Sequence, residues 1–105
     1  MAITHNLKTD PFVFQESWDR KKPYEIRFDD RNFREGDELV LYETEYSGDK
    51  MLNGAPLKYT GRRIRQKILS KLAGRYGIKT GWCILGVEEL HREDTPVTWE
   101  VKPTS

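Results

Sequence analysis

Hydrophobic and polar positions alternate most clearly in Tyr24-Glu25-Ile26-Arg27-Phe28. Tyr24, Ile26 and Phe28 share one side of a period-two repeat and Glu25 and Arg27 the other, which predicts a strand with one charged face. Leu39-Val40-Leu41-Tyr42 and Trp82-Cys83-Ile84-Leu85-Gly86-Val87 are short apolar runs between turn residues, the pattern of buried strands. Ile3 to Thr9 reads as a first strand closed by Asp10-Pro11. Pro11 suits the first position of a helix, with Asp10 as its cap. Phe12, Phe14, Gln15 and Trp18 give that helix a partly apolar face from Pro11 to Arg20, and Pro23 stops it. Three glycines and a proline between Ser47 and Gly61 predict a long exposed hairpin loop. Arg62 to Leu72 fits two patterns. Ile64, Ile68, Leu69 and Leu72 follow helical spacing, and periodicity leans that way. As a strand, the same segment sets Ile64, Gln66 and Ile68 against Arg63, Arg65 and Lys67. Val97 to Val101 alternates weakly, as an edge strand or a loosely held tail.

A chain of 105 residues has room for one core, so residues 1–105 form a single domain, with its body at about 4–90 and a tail at 91–105. The hydrophobic content of 36% supports a real core despite 33% charged residues. Eighteen basic and seventeen acidic residues leave a formal net charge of +1, so overall charge gives no argument for nucleic acid and any such case rests on local clusters. The lone Cys83 forms no internal disulfide, which favours a reducing compartment. The first residues lack the basic start and apolar run of a signal peptide, and no apolar stretch approaches the roughly 20 residues of a membrane span. A cytoplasmic protein without membrane partners is expected.

Candidate chemistry gathers at Lys22, Glu25 and Arg27. On a strand, Glu25 and Arg27 project from one face about 7 Å apart, with Lys22 in reach. A carboxylate between two cations orients them, and each keeps donors for a phosphate or carbonyl. The same pattern also describes a solvated salt-bridge ladder, since surface ion pairs signify little by themselves.

Lys22-x-x-Glu25-x-Arg27 resembles the G-x-K-x-x-E-x-R signature of the ASCH domain, a branch of the PUA-like superfamily. His5-Asn6-Leu7-Lys8, Glu25-Ile26-Arg27, Asp30-Arg31-Asn32-Phe33 and Gly36-Asp37 are similar, in order and spacing, to a small ASCH-related family of phages and bacteria with RNA binding as its expected role. Tyr59-Thr60-Gly61-Arg62 and Tyr76-Gly77-Ile78-Lys79 extend the likeness over roughly Thr4 to Val87. Arg20 stands where the signature has glycine, which reshapes the turn before the strand or adds a cation at the cleft mouth. The resemblance implies an α+β fold: a small curled, β-barrel-like sheet with one or two helices, the Pro11–Arg20 helix packed over one opening. It also implies a strand at Arg62–Leu69, overruling periodicity. Arg63, Arg65 and Lys67 then form a basic stripe spaced like the phosphates of a single strand, or simply a solvated sheet face.

The resemblance places His5, Lys8 and Arg31 beside Lys22, Glu25 and Arg27 as ligand-binding candidates. His91 reads as surface, and two distant histidines with one cysteine give no metal-ligand spacing. No metal or cofactor is expected. Cys83, inside an apolar strand, behaves as a small hydrophobe. Among Trp18, Tyr24, Phe33 and Tyr42, most are core and one is allowed a ligand role. Three functions follow. A binding module holds RNA, a nucleotide or a nucleoside in the cleft. A small hydrolase acts on a modified nucleoside or on RNA, with Lys22, Glu25 and His5 as catalytic candidates. A phage accessory protein binds a host protein. The enzyme reading is the weaker, because ASCH-like amidohydrolases carry threonine three residues after the lysine, where Glu25 stands.

Overall fold

The computed structural model describes residues 2–74 and 76–95. The weakly alternating Val97–Val101 segment lies outside the described residues. Five strands and two helices follow in the order β1 (Thr4–Thr9), α1 (Pro11–Trp18), β2 (Tyr24–Phe28), β3 (Glu38–Thr44), α2 (Gly48–Leu52), β4 (Tyr59–Ala73) and β5 (Trp82–Asp94). They form an α+β domain around one curled half-barrel sheet of order β1-β3-β4-β5-β2. β1 runs parallel to β3, and the other neighbours are antiparallel.

The ambiguous Arg62–Leu72 segment is strand, the longest of the sheet. Its helical spacing is overruled because β4 has partners on both sides, β3 and β5, whose ladders satisfy its backbone. The register of β4 with β5 shifts between Arg65 and Gln66 and again between Ile68 and Ser70. Such bulges bend long strands and increase their twist, which curls the sheet. After the second shift Leu69 and Leu72 face out, so the four aliphatics do not form one face. Gly86 lies opposite Ser70 there, and a Cβ on it would clash with Ser70 Oγ.

The concave side holds the core: Leu7 of β1, Leu39 and Leu41 of β3, Ile64 and Ile68 of β4, Cys83, Leu85 and Val87 of β5, with Phe14 of α1 and Phe33. Trp18 packs against it, its ring flanked by the Arg62 guanidinium at 4.9 Å and the Arg92 guanidinium at 4.2 Å. These cation–π contacts tie α1 to β4 and β5. Burial pushes the Cys83 thiol up, with the nearby Asp29 charge adding to it, as expected of an inert core cysteine.

Three expectations change in detail. Asp10 does not cap α1 with its side chain; its Oδ1 accepts from Gly48 N–H at 3.1 Å instead, tying the start of α1 to α2. The helix itself ends at Trp18, and Arg20 follows with φ 58°, a left-handed conformation that favours glycine. The Ser47–Gly61 loop contains α2, whose first turn is capped by Ser47 Oγ accepting from Lys50 N–H, and β4 already begins at Tyr59.

Candidate functional site

The two edge strands of the half-barrel, β1 and β2, face each other across a seam. β2 meets β5 through its odd-numbered residues, since Val87 N–H donates to Pro23 O and Asp29 N–H to Gly81 O at the two ends of that ladder. The backbone groups of Tyr24 and Ile26 therefore point into the seam. Arginine side chains bridge it: Arg27 Nη1 donates to Lys8 O at 3.2 Å and Arg31 Nη1 to Asn6 O at 3.2 Å. Guanidinium donors thus take the place of part of the ladder that would close the barrel.

A cleft of 430 Å³ opens where the seam meets the start of α1, lined by Lys8, Asp10, Glu16, Lys22, Glu25 and Arg27 among others. Glu25 is only 2% exposed. Its Oε2 accepts from Lys22 Nζ at 2.6 Å and its Oε1 from Arg27 Nη2 at 3.0 Å and Nε at 3.3 Å. Ser17 Oγ lies 3.5 Å from Oε2. Lys22 Nζ also donates to Tyr24 O, and Arg27 Nη2 to Thr9 Oγ1. An ammonium has three donor hydrogens and a guanidinium five, so each cation keeps about one for a ligand. Lys8 Nζ has no acceptor among the described residues.

The structure thus brings Lys8, Lys22, Glu25 and Arg27 together. Arg31 lies along the seam, spent on Asn6 O and beside Asp30, with its buried Nη2 unpartnered among the described residues. His5 is not in the cleft. It is buried on the other half of β1, where Nε2 pairs with Asp37 Oδ2 at 3.0 Å and the ring packs edge-on against Phe33. The reason is position along the strand: Thr9, on the same side of β1 as His5, does line the cleft, but His5 lies four residues away at the other end, next to Asp37. Burial pushes the Asp37 carboxyl up, but hydrogen bonds from His5 and from the Ile3 and Arg34 amides outweigh it and hold the group below the usual carboxylate range.

The basic stripe lies elsewhere. Arg63, Arg65 and Lys67 project from the convex face of β4, away from Glu25 and Arg27 on the concave side. Arg63 is held by Glu93 and by Thr95, Arg65 by Glu38 at 2.5 Å, and Lys67 stands between Glu38 and Glu88 on the neighbouring strands. The stripe is thus separate from the cleft, its two arginines paired with carboxylates across strands and lining a space of 270 Å³ of their own with Tyr42 and His91.

Of the four aromatics, Phe33 and Tyr42 are buried, and Trp18 is clamped between arginines. Tyr24 borders the cleft, with Lys22 Nζ 5.5 Å from its ring centroid. The outer face of β2 is open: Ile26 pairs with Ile84, and Phe28 lies edge-on to Trp82.

Sequence reasoning missed a second, smaller space of 240 Å³ lined by Ser17, Arg20, Lys22, Pro23, Gln66, Val87, Glu88 and Glu89. Its signal was present in Ile64-x-Gln66-x-Ile68, a polar residue at the middle of an inward-facing apolar set.

A family model matches residues 4–87, from the start of β1 into β5 and across both β2 and the seam. The chain belongs to that family, described as a domain of unknown function, DUF3850. No curated protein matched it.

Proposed function

We propose that the chain binds a nucleotide-like unit, free or as an unpaired residue of RNA, in the cleft of Lys8, Lys22, Glu25 and Arg27. The observation that carries this is Glu25, a buried carboxylate whose two oxygens orient Lys22 and Arg27 at the wall of an open cleft. Their spare donors, with the unengaged Lys8, suit a single phosphate or carbonyl group rather than a backbone path. The similarity of Lys22-x-x-Glu25-x-Arg27 to the ASCH signature supports the same reading, and the lone Cys83 supports a cytoplasmic setting. An amidohydrolase gains no support. Glu25 stands at the threonine position, and Lys22 directs its hydrogens to acceptors rather than offering a lone pair.

The test is a fluorescence-anisotropy titration of a short single-stranded RNA, beside a calorimetric titration of nucleoside monophosphates, at several salt concentrations. One or two phosphates in the cleft give a log–log salt slope of about −0.7 to −1.4. Lys8→Ala is expected to weaken binding by roughly tenfold, and Arg65→Ala to leave it unchanged. No binding of either ligand at low salt sinks the reading. A slope near −3 together with loss on Arg65→Ala moves the site to the convex stripe.

A further inference from the structure

We propose that the smaller space beside Lys22 is a subsite that reads the hydrogen-bonding edge of a nucleobase through the side-chain amide of Gln66; this rests on the nucleotide reading above. Gln66 is 3% exposed, and its Oε1 has no hydrogen-bond partner among the described residues. Leaving such a group unpaired is costly, and the large majority of buried polar side-chain atoms find a partner. Most other buried polar side chains find partners: His5 with Asp37, Thr9 with Arg27, Glu43 with Arg62 and Thr60, Thr44 with backbone carbonyls. Among the described residues Arg31 Nη2 and Asp29 Oδ1 are also buried without a partner, but of the three only Gln66 lines this space.

That space has the chemistry of a base pocket. An amide presents one donor and one acceptor side by side, the complement of a base edge that carries an amino or imide N–H next to an acceptor. Val87 and Pro23 supply apolar wall, and Ser17 Oγ adds a hydroxyl. Its carboxylates are unsuited to a phosphate. Glu88 and Glu89 stand there, and Arg92 holds the Glu89 carboxyl below its usual range, with Arg20 3.4 Å away. Lys22 lines both this space and the larger cleft, so the two adjoin across one side chain. A nucleotide with its phosphate on Lys8 and Arg27 places its base on the far side of Lys22, against Gln66.

The experiment titrates the four nucleoside 5′-monophosphates and ribose 5-phosphate by calorimetry into wild type, Gln66→Leu and Lys8→Ala. Wild type is expected to prefer its best base over its worst by roughly 5- to 150-fold, the range of a two-point amide contact. Gln66→Leu is expected to compress that preference to about twofold and to leave ribose 5-phosphate unchanged, while Lys8→Ala weakens all five ligands alike. Because the free protein holds Gln66 Oε1 buried and unpaired, Gln66→Leu is also expected to raise Tm, by roughly 4–8 °C. Gln66→Met, unbranched and close in volume, serves if leucine does not fold. An unchanged base ranking in the variant, or equal binding of ribose 5-phosphate and nucleotides by wild type, overturns the subsite and leaves the nucleotide reading standing. Absence of binding by all five ligands overturns both.

Discussion

Strands β2 and β4 alternate in the same way and bury opposite halves of the alternation. In β4, Ile64 and Ile68 face the core, while Arg63, Arg65 and Lys67 face out onto a carboxylate ladder. In β2, Glu25 and Arg27 face in, while Tyr24, Ile26 and Phe28 stand on the open side. The difference follows from position. β4 is central and lies over the hydrophobic core, where an inward charge would have no partner. β2 is an edge strand at the unclosed seam, beyond the last core residues, where Lys22, Arg27 and Ser17 surround one carboxylate. A buried ion pair stabilises a fold little compared with apolar packing of the same volume. The inversion in β2 is sustained by the cations and the hydroxyl that surround Glu25, and Gln66, the polar exception within β4, lines the neighbouring space that shares Lys22.

The largest effects test that inversion directly. Glu25→Ala leaves two cations at the seam without their carboxylate and is expected to cost about 3 kcal/mol, the low end for a broken buried pair because the cleft admits water. Ile64→Ala is expected to cost a similar ~3 kcal/mol through the cavity it opens. Their strand neighbours Ile26→Ala and Arg65→Ala are expected to stay within about 1 kcal/mol. Urea unfolding of the four variants checks the pattern, and an Ile26→Ala variant less stable than Glu25→Ala breaks the comparison.

A second prediction concerns the other half of β1, where the inward polar residue is structural. The Asp37 carboxyl is held low in the folded chain, so its contribution is complete above the ordinary carboxylate range and is lost as pH falls through its lowered folded value. Acid unfolding monitored by circular dichroism is expected to show Asp37→Asn less stable by about 1–3 kcal/mol near neutral pH, with the gap to wild type closing below pH ~4. A gap that persists at low pH assigns the loss to shape rather than charge. Ligand affinity is expected to be unaffected, which separates the His5–Asp37 pair from the cleft.

The smallest effect is at Arg20, where a non-glycine residue holds φ 58° and its ion pair with Glu89 is long and exposed. Arg20→Gly removes left-handed strain of about 1 kcal/mol against a weak pair and added chain entropy. A rise in Tm of up to a few degrees is expected. A clear fall in Tm shows that the side chain, and not the turn, is what the position requires.

Much of this molecule is written locally. The extent of β2, the apolar runs of β3 and β5, Pro11 at the start of α1 and the clustering of Lys22, Glu25 and Arg27 all follow from side-chain period and turn chemistry, which act within a few residues. The half-barrel class was legible through a resemblance of ordered motifs rather than through periodicity, which favoured helix at Arg62–Leu72. Three things were decided only by the tertiary structure. Which face of β2 is buried depends on β2 lying at the edge of the sheet, since alternation alone is symmetric between the two faces. The separation of Arg63, Arg65 and Lys67 from the cleft depends on β4 curving over the core with its apolar side in. The places of His5 and Gln66, one paired with Asp37 and the other unpaired beside Lys22, depend on which strands are brought together across 32 and 44 residues of chain. Sequence spacing carries the reach of a side chain within its own strand; long-range strand pairing decides what that side chain meets.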